Sequence, residues 1–373
     1  MKRETISEHL EAEGISRREF MSYCGVLAGA LGLSQVAPLA ASGLPADLGR
    51  PATVLQRNLT ETVARALETK PRQPVIWLEF QDCAGCTEAI TRSTSPTLVE
   101  LILNKMALNY HETLFAAAGH QAEAARADAM EKYAGEYLLV VEGSVPVGDP
   151  GFCTIGGRTA EDILREAARG AAAVISVGSC ASFGGLPAAN PNPTGARSAA
   201  DILSGTTVVN IPGCPAIPEA TTGVLTHFLV FGELPELDDL NRPTAFYGTT
   251  IHDRCLRRPF YDEGKFANSF DDEGARKGWC LYKLGCKGPT TYNACAVLKW
   301  NGGVSFPIES GHPCLGCSQP DFWDNGGFYQ GQSSIIGPPG LGSAATAVGI
   351  GAVVGAGVAA VNIAKRRDKG EDS

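Results

Sequence analysis

The stretch from His252 to Cys317 constrains the fold of this chain more than any other, because it combines many cysteines with few aliphatic residues. It holds six cysteines among glycines, prolines and aromatic residues, at Cys255, Cys280, Cys286, Cys295, Cys314 and Cys317. Such a segment has too little apolar material to fold around an ordinary core. We therefore expect metal centres to hold it together. His252 is a seventh candidate ligand because it lies three residues before a cysteine, although an isolated histidine is more often a surface residue.

The spacing of the cysteines favours metal ligands over disulfides. Twelve cysteines in 373 residues would suggest disulfides in an exported protein. However, Cys83 and Cys86, and again Cys314 and Cys317, are separated by only two residues. This spacing lets two thiolates hold one centre, and neighbouring glycine or proline residues let the backbone wrap closely around it.

The sequence between residues 73 and 235 predicts an α/β fold with a parallel sheet covered on both faces. Four apolar runs read as buried strands, at 75–80, 137–141, 172–177 and 207–211. Helical patterns lie between them, notably at 120–133 and 159–169. Apolar strands that alternate with helices are typical of parallel sheets.

Three of the four predicted strands run directly into cysteines. The first leads to Cys83 and Cys86, the third to Cys180 and the fourth to Cys214. Ligands of open parallel sheets bind beyond the carboxyl ends of the strands, so these four thiols are expected to converge. Four thiolates are the ligand set of a [4Fe–4S] cluster, and a structural zinc is the alternative on spacing alone.

The composition and the missing motifs exclude other classes of function. The formal net charge is −9, and no Lys/Arg-rich patch is present, so a nucleic-acid partner is not expected. Neither a G-x-G-x-x-G loop nor a Walker A sequence occurs, which disfavours nucleotide binding.

The N-terminus carries the pattern of a twin-arginine export signal. Arg17 and Arg18 precede an apolar run of small residues at 24–41, so residues 1–42 are predicted to be a signal peptide cleaved near residue 42. That pathway carries folded proteins, which suits cofactors inserted in the cytoplasm. The alternative is an amphipathic N-terminal helix that happens to contain two arginines. Residues 43–72 read as a polar lead-in segment, with its helix at 60–68.

The C-terminal region is predicted to anchor the protein in a membrane. Residues 341–364 form an uncharged run that would measure about 36 Å as a helix, enough to cross the hydrocarbon layer. The basic tail at 365–373 begins with Lys365, Arg366 and Arg367, which predicts a cytoplasmic C-terminus and a body outside the membrane. The alternative is a flexible Gly/Ala tail, because glycine lowers helix propensity.

Several longer motifs give a specific resemblance. They are D-C-A-G-C-T-E at 82–88, Y-H-E-T-L at 110–114, A-A-G-H-Q-A-E at 117–123, G-S-C-A-S-F-G-G at 178–185, N-P-N-P-T-G at 190–195, N-I-P-G-C-P at 210–215, G-W-C-L-Y-K-L-G-C-K-G-P at 278–289 and G-H-P-C-L-G-C at 311–317. Through them the chain resembles the small subunits of membrane-bound, periplasm-facing uptake [NiFe] hydrogenases. The likeness covers nearly everything from Pro74 to about Phe328.

The resemblance implies a fold and a set of clusters. The fold would be a flavodoxin-like domain at 73–235, a small irregular iron–sulfur domain at 236–335 and a transmembrane helix at 341–364. A proximal [4Fe–4S] cluster would take Cys83, Cys86, Cys180 and Cys214. A distal [4Fe–4S] cluster would take His252, Cys255, Cys280 and Cys286, and a medial [3Fe–4S] cluster would take Cys295, Cys314 and Cys317.

The resemblance also implies partners and a direction for the electrons. A separate large subunit would carry the Ni–Fe site that activates H2, so this chain would hold no catalytic residue of its own. Electrons would pass through the proximal, medial and distal clusters to a membrane cytochrome b or another quinone-linked subunit. Glu88 and His120 could tune the proximal site, or be ordinary polar residues of the subunit interface.

Residues that differ from related branches narrow the expectation. Pro307 stands where some relatives have a fourth medial cysteine, which implies a three-iron cluster. Gly85 and Gly185 stand where the oxygen-tolerant branch has extra cysteines, which implies a conventional proximal cluster and ordinary oxygen sensitivity. Cys24 falls in the signal, and Cys153 is expected to be a small buried hydrophobe.

Two other classes of protein remain as competitors. The cluster-bearing subunit of a quinone oxidoreductase resembles the first domain, but it would lack the seven candidate ligands from His252 to Cys317. An exported, zinc-stabilised binding protein would use the same cysteines without any redox role. The metal content would separate these alternatives.

Overall fold

A five-stranded parallel sheet forms the centre of the N-terminal region. The structure, a computed structural model, describes residues 71–94 and 96–330. The strands are β1 Gln73–Glu79, β2 Met106–His111, β3 Leu138–Glu142, β4 Ala173–Val177 and β5 Val208–Ile211. Their order in the sheet is β2-β1-β3-β4-β5, with every pair parallel. This 2-1-3-4-5 order is that of flavodoxin-like sheets, and it reverses between β1 and β3.

Successive side chains of each strand enter two different cores. Val75 and Trp77 of β1 lie in the core on one face of the sheet, whereas Ile76 and Leu78 lie in the core on the other face. This alternation follows from the two-residue period of a strand. Because both faces are covered, the strands read as continuous apolar runs rather than as alternating patterns.

Helices cover both faces of the sheet. The main helices are α1 Gly85–Ile90, α2 His120–Lys132, α3 Ala160–Arg169, α4 Gly178–Phe183 and α5 Pro218–Phe231. Buried residues of α1 and α5 belong to the first core, and those of α2, α3 and α4 belong to the second. The Thr159 hydroxyl caps α3 by accepting a hydrogen bond from the Asp162 backbone N–H, and α5 ends at Gly232 with φ 73°, a left-handed conformation that suits glycine.

The predicted strands and helices of this region are present, with ends that differ by one or two residues. The parallel α/β architecture is therefore confirmed. Strand β2 and helix α5 were not predicted. Strand β2 lies at the edge of the sheet, and three of its six residues are only partly buried, so it lacks the continuous apolar run of the central strands.

Shorter elements connect these strands and helices. Helical turns occur at Leu98–Glu100, Leu101–Lys105, Pro150–Phe152, Leu186–Ala188 and Ala199–Ile202. Two small antiparallel ladders join Val145–Pro146 to Ala196–Arg197 and Thr154–Ile155 to Arg158–Thr159.

Residues 236–330, called here the cysteine-rich segment, contain only short elements. Its helices are Thr244–Tyr247, Arg258–Asp262, Glu273–Arg276 and Cys295–Leu298, with 3-10 turns at His252–Arg254, Tyr282–Leu284 and Gly288–Thr290. Isolated bridges such as Thr250 with Tyr292 replace strands. The segment packs against the first face of the sheet through buried residues such as Ile251, Leu281 and Ile308.

The predicted signal peptide, lead-in helix, membrane anchor and basic tail lie outside the described residues. Within residues 71–94 and 96–330, no helix combines the length and the apolar character that crossing a membrane requires.

Candidate metal centres

The four cysteines that follow the strands of the sheet converge at its carboxyl edge. Cys83 and Cys86 follow β1, Cys180 lies in α4 directly after β4, and Cys214 follows β5. The thiols are close enough for the charge of each to affect the others. Burial and then Glu142 raise the pKa of Cys86, with smaller contributions from Cys180 and Cys214. Cys214 is exposed, but partial desolvation of its thiol raises its pKa to about 11, with Cys180 and Cys83 adding to it.

Two glycines leave the space that this first group of thiols occupies. Gly178 has φ 85°, and a Cβ there would clash with the Sγ of Cys86. Gly185 has φ 56°, and a Cβ there would lie 2.7 Å from the Sγ of Cys180. Any larger residue at either position would be strained and would push a thiol aside. The backbone at Gly178 and Gly185 therefore lies so close to the thiols of Cys86 and Cys180 that only glycine fits at these two positions.

A buried carboxylate accepts a hydrogen bond from the backbone of Cys86. Glu142, the last residue of β3, accepts hydrogen bonds from the backbone N–H groups of Cys86 at 3.0 Å and Thr87 at 3.2 Å. The Thr87 hydroxyl donates to it at 2.6 Å and the Trp77 indole N–H at 3.3 Å. Burial raises the pKa of Glu142, and these hydrogen bonds oppose the shift.

A second carboxylate completes this network. Glu79, the last residue of β1, accepts a hydrogen bond from the Thr113 backbone N–H at 2.8 Å and lies 3.3 Å from the His111 ring. Burial raises the pKa of Glu79, but its hydrogen bonds with His111 and Thr113 outweigh this and lower it. Sequence reasoning missed Glu79 and Glu142. The available signal was a carboxylate at the last position of two otherwise apolar strands.

Two exposed residues, Asp82 and Glu112, have carboxyl groups that the protein partly desolvates. This desolvation and the charge of Glu142 raise the pKa of Asp82 to about 6. Desolvation likewise raises the pKa of Glu112 to about 7. The carboxylates of Glu79, Asp82 and Glu142 lie within 4.8 Å of one another, but hydrogen bonds already engage the two buried ones.

His252, Cys255, Cys280 and Cys286 line a single cavity in the cysteine-rich segment. The predicted second group of ligands is thus brought together around one cavity.

Three of the four side chains of this second group come from tight turns, whereas Cys280 forms an isolated bridge with Phe266. His252 and Cys255 flank one 3-10 turn, and Cys286 follows Gly285, whose φ is 87°. The His252 ring packs edge-on against Tyr261, with ring centroids 4.5 Å apart. Burial and the charge of Arg258 lower the pKa of His252, which favours the neutral imidazole that binds metals.

Cys295, Cys314 and Cys317 form a third group. Burial raises the pKa of Cys295, and the charges of Cys317 and Cys314 add to this shift. Burial and Cys317 also raise the pKa of Cys314 to about 11. Pro307 is exposed between the buried Phe306 and Ile308.

The third group lies between the other two. The Cys214 backbone N–H approaches the Cys317 sulphur closely enough to lower the pKa of that thiol, although burial raises it to about 11 overall. On the other side, the Cys314 backbone N–H donates to the Cys286 sulphur at 3.4 Å. The three groups therefore form a continuous row.

Ser179 joins the first and third groups. Its hydroxyl donates to the Cys317 carbonyl and accepts a hydrogen bond from the Gly213 N–H at 3.0 Å. One side chain thus ties the loop before Cys214 to the turn that carries Cys317. This contact fixes the sheet region against the cysteine-rich segment.

The donor chemistry fits iron–sulfur clusters. Among the described residues all cysteines are free, and the thiols of each group are crowded. Crowded thiolates repel one another and lose hydration on burial, so a bound cationic centre would relieve both costs. Soft thiolate sets select zinc or iron–sulfur centres. Groups of four thiols, of three thiols with an imidazole, and of three thiols match the expected cluster types in ligand number.

Three other residues singled out from the sequence lie apart from these groups. Cys153 is partly buried and packs against the second core. Glu88 is exposed and pairs with Arg92 at 2.6 Å. His120 is exposed at the start of α2.

Two family models match the chain. Residues 247–330 match the model for the C-terminal part of NiFe/NiFeSe hydrogenase small subunits. Residues 83–228 match the model described as NADH ubiquinone oxidoreductase, 20 Kd subunit. The second match agrees with the similarity between the first domain and a quinone oxidoreductase subunit, and the first match covers the segment that such a protein would lack.

Curated relatives are similar over nearly the whole chain. The uptake hydrogenase small subunit of Azotobacter vinelandii is 46% identical, over 99% of this chain and 98% of the relative. That of Afipia carboxidovorans is 49% identical, over 87% of this chain and 83% of the relative. The hydrogenase-1 small chain of Escherichia coli K12 is 42% identical, over 96% and 91%.

Solved structures are similar in fold. A chain of the Ni-Fe-Se hydrogenase from Desulfomicrobium baculatum matches with a TM-score of 0.66 and 34% identity, covering 70% of this chain and 100% of that one. A chain of the [NiFeSe] hydrogenase from Desulfovibrio vulgaris Hildenborough matches with a TM-score of 0.65 and 38% identity, covering 70% and 99%.

Proposed function

The chain belongs to the small subunits of [NiFe] hydrogenases, and we propose that it is the electron-transfer subunit of an uptake enzyme of this family. Cys83, Cys86, Cys180 and Cys214 would hold a proximal [4Fe–4S] cluster. Cys295, Cys314 and Cys317 would hold a medial [3Fe–4S] cluster. His252, Cys255, Cys280 and Cys286 would hold a distal [4Fe–4S] cluster. When bound, such clusters supply one-electron transfer at potentials that their surroundings set.

The observation that carries the proposal is the continuous row of three ligand groups. The middle group touches the first through Cys317 and Cys214, and the second through Cys314 and Cys286. A set of isolated structural zinc sites would not need this contiguity. An electron relay does need it, because transfer between centres requires close approach.

The exposure of the ligands supports a direction for the relay. Cys83 and Cys214 are exposed, so the first group meets the surface at the carboxyl edge of the sheet. Small subunits of this family pair with a large subunit, and we place its docking site at this edge. At the other end, Leu256 beside Cys255 is 52% exposed, which marks a surface where a membrane cytochrome b or other quinone-linked subunit would accept electrons.

Local residues support the proposed cluster types. Gly185 leaves no room for a side chain beside Cys180, so a conventional proximal cluster, without an extra ligand there, fits the backbone. Pro307 cannot ligate iron, in keeping with three irons at the medial site. A neutral His252 ligand in place of a thiolate would favour the reduced distal cluster.

The location of the enzyme follows from the two ends of the sequence. Arg17 and Arg18 support export by the twin-arginine pathway, and the apolar run 341–364 supports a single anchor. The body would then face the periplasm. Replacing both arginines by lysine should leave the protein in the cytoplasmic fraction. Unchanged export would contradict the signal assignment.

Metal analysis tests the proposed function directly. Anaerobically purified heterodimer should contain nearly equal amounts of iron and acid-labile sulphide from this subunit, with little zinc. Electron paramagnetic resonance should show a three-iron signal in the oxidised state and four-iron signals after reduction. Zinc bound at four-sulphur stoichiometry, with no labile sulphide, would overturn the proposal in favour of a zinc-stabilised binding protein.

A ligand substitution tests the distal assignment. His252→Cys keeps the number of ligands but adds negative charge, so it should lower the distal potential and alter turnover with external acceptors. The H2-activating site on the large subunit should be unaffected. An unchanged distal spectrum together with unchanged acceptor turnover would show that His252 is not a ligand.

A further inference from the structure

Lys287 is a buried cation at the junction of the medial and distal ligand groups. It directly follows Cys286, and its backbone N–H donates to the Cys314 carbonyl at 2.8 Å. Only 6% of the residue is exposed. Its stem packs against the turn between Cys314 and Cys317, since a Cβ at Gly316 would lie 3.2 Å from the Lys287 Cδ. The side chain is therefore held close to ligands of both groups.

The partners of the Lys287 ammonium are neutral. Its Nζ donates to the backbone carbonyls of Asn325 at 2.8 Å, Gly326 at 3.2 Å and Phe322 at 3.4 Å. It also lies 5.3 Å from the centroid of the Phe328 ring. Three carbonyls and an aromatic face favour the charged ammonium, but they carry no compensating negative charge.

Arg257 is a second buried cation with neutral partners, and it lies beside the distal group. It is 8% exposed and lines the cavity that His252 shares with three cysteines. Its Nε donates to the Ile308 carbonyl at 3.0 Å and its Nη1 to the Trp279 carbonyl at 2.8 Å. Its backbone N–H approaches the Cys255 sulphur at 3.4 Å. Again the side-chain acceptors are neutral.

Two other buried arginines have the carboxylate partner that Arg257 and Lys287 lack. Arg126 pairs with Glu123, and Arg242 pairs with Asp238 at 2.8 Å. Within residues 71–94 and 96–330, no carboxylate lies within salt-bridge distance of Arg257 or Lys287. Burying an ion without a counter-charge is strongly unfavourable, so the missing negative charge has to come from another source.

The candidate ligand sulphurs would supply negative charge near these two cations once they bind a metal as thiolates. Burial lowers the pKa of Arg257, and the charges of Cys255, Cys280 and Cys286 oppose that shift. Burial also lowers the pKa of Lys287, and the charge of Cys314 opposes it. The geometry gives the same assignment. Arg257 lines the cavity of the distal group, and the Lys287 stem packs against Gly316, between Cys314 and Cys317 of the medial group.

We propose that Arg257 and Lys287 are the built-in counter-charges of the distal and medial clusters and raise their reduction potentials. This rests on the proposed function, because it assumes iron–sulfur clusters on these ligands. Reduction adds one electron to a cluster and moves no proton at either residue, so both cations stay protonated throughout. A nearby positive charge in a poorly solvated interior favours the added electron. The electron comes from the preceding centre of the relay and leaves to the next one.

Charge-removing variants of the complete heterodimer test this. In redox titrations followed by electron paramagnetic resonance, Lys287→Met should lower the potential of the medial cluster more than that of the distal one. Arg257→Met should do the reverse. We expect at least a tenfold change in the reduction equilibrium, which is 59 mV for one electron. Lys287→Arg and Arg257→Lys keep the charge and should stay close to the wild-type potentials.

A matched control separates buried from screened charge. Lys283 is exposed three residues before Cys286, so Lys283→Met removes the same charge where water screens it. Both potentials should remain within error of the wild-type values. A shift as large as that of Lys287→Met would overturn the proposal, because burial would then play no part.

Other outcomes also decide the question. Unchanged potentials in both methionine variants would overturn the counter-charge role, and so would equal shifts in the charge-keeping and methionine variants. If the methionine variants lose iron, Lys287→Gln and Arg257→Gln are titrated instead. Iron loss confined to charge-removing variants would support the proposal, whereas loss in the charge-keeping variants as well would overturn it. The wild-type titration in the same series shows whether the three clusters exist, so failure of the proposed function would be recognised separately.

Discussion

Every residue of β3 and β4 is buried between two layers of helices, whereas the cysteine-rich segment has no helix longer than the five residues of Arg258–Asp262. In the sheet, aliphatic side chains fill both cores. In the cysteine-rich segment, three of the buried apolar residues are themselves candidate ligands, namely Cys280, Cys286 and Cys295. The candidate ligands of the sheet therefore lie at the edge of an aliphatic core, while those of the cysteine-rich segment are themselves part of its buried interior.

The same difference extends to charge. At the sheet edge, hydroxyl, indole and backbone donors form hydrogen bonds with the carboxylates of Glu142 and Glu79. These two buried carboxylates therefore have hydrogen-bond partners without a metal. In the cysteine-rich segment, the side chains of Arg257 and Lys287 donate to backbone carbonyls, and Lys287 also faces the Phe328 ring. The carboxylates of the first region thus have their hydrogen-bond donors, whereas these two cations have no carboxylate partner among the described residues.

Removing iron should have the largest effect, and it should affect the cysteine-rich segment far more than the sheet. We expect amides at 248–330 to exchange with solvent faster by roughly two orders of magnitude in iron-free protein, because metal binding contributes directly to folding where regular secondary structure is sparse. Amides of β1, β3 and β4 should keep their protection. Hydrogen exchange followed by mass spectrometry of the anaerobically chelated heterodimer would measure both. Equal loss of protection in the two regions would refute the distinction.

The next largest effect should come from Glu142→Ala. It removes the acceptor for the backbone N–H groups of Cys86 and Thr87, so we expect the β1–β3 amides to open more easily by about 3 kcal/mol. Hydrogen exchange of these strands would measure the cost. Glu161→Gln is the control, since Glu161 is a surface residue paired with Arg165 at 2.7 Å and should change stability by about 0.5 kcal/mol or less. Equal effects would show that the network below Cys86 does not stabilise the sheet edge.

The two regions also differ in how far the sequence predicts them. Four strands follow from apolar runs. The convergence of Cys83, Cys86, Cys180 and Cys214 follows because three of these runs lead to cysteines and parallel strands share a carboxyl edge. Strand β2 was not predicted because an edge strand needs fewer apolar residues than a central strand.

The resemblance implied the order of the three ligand groups, but the spacing of the residues alone could not give it. It depends on contacts such as that between Cys314 and Cys286, which are 28 residues apart in a segment without periodic structure. The burial of Lys287 could not be predicted either, because lysine is rarely buried and nothing nearby in the sequence marks it.

The boundary between the regions can be tested with two serines of α4. Ser179→Ala removes the hydroxyl that joins Gly213 to the Cys317 carbonyl, so we expect a cost of about 1–3 kcal/mol. Ser182 is equally buried, at 2% exposure for both, but among the described residues its hydroxyl has no hydrogen-bond partner. Ser182→Ala should therefore be nearly neutral. Chemical unfolding of the two variants would measure the difference, and equal costs would contradict a specific link at Ser179.

The smallest effect is expected at Glu88, which follows Thr87 in sequence but is exposed to solvent. Its carboxylate is 57% exposed and pairs with Arg92 on the surface of α1. A solvent-exposed pair of this kind contributes about 0.5 kcal/mol or less. Glu88→Gln should therefore leave the free energy of unfolding almost unchanged, and the proximal potential should stay within the error of a redox titration. A clear shift in that potential would mean that the large subunit buries Glu88 against the proximal site. The charge balance at the sheet edge would then depend on a bound partner.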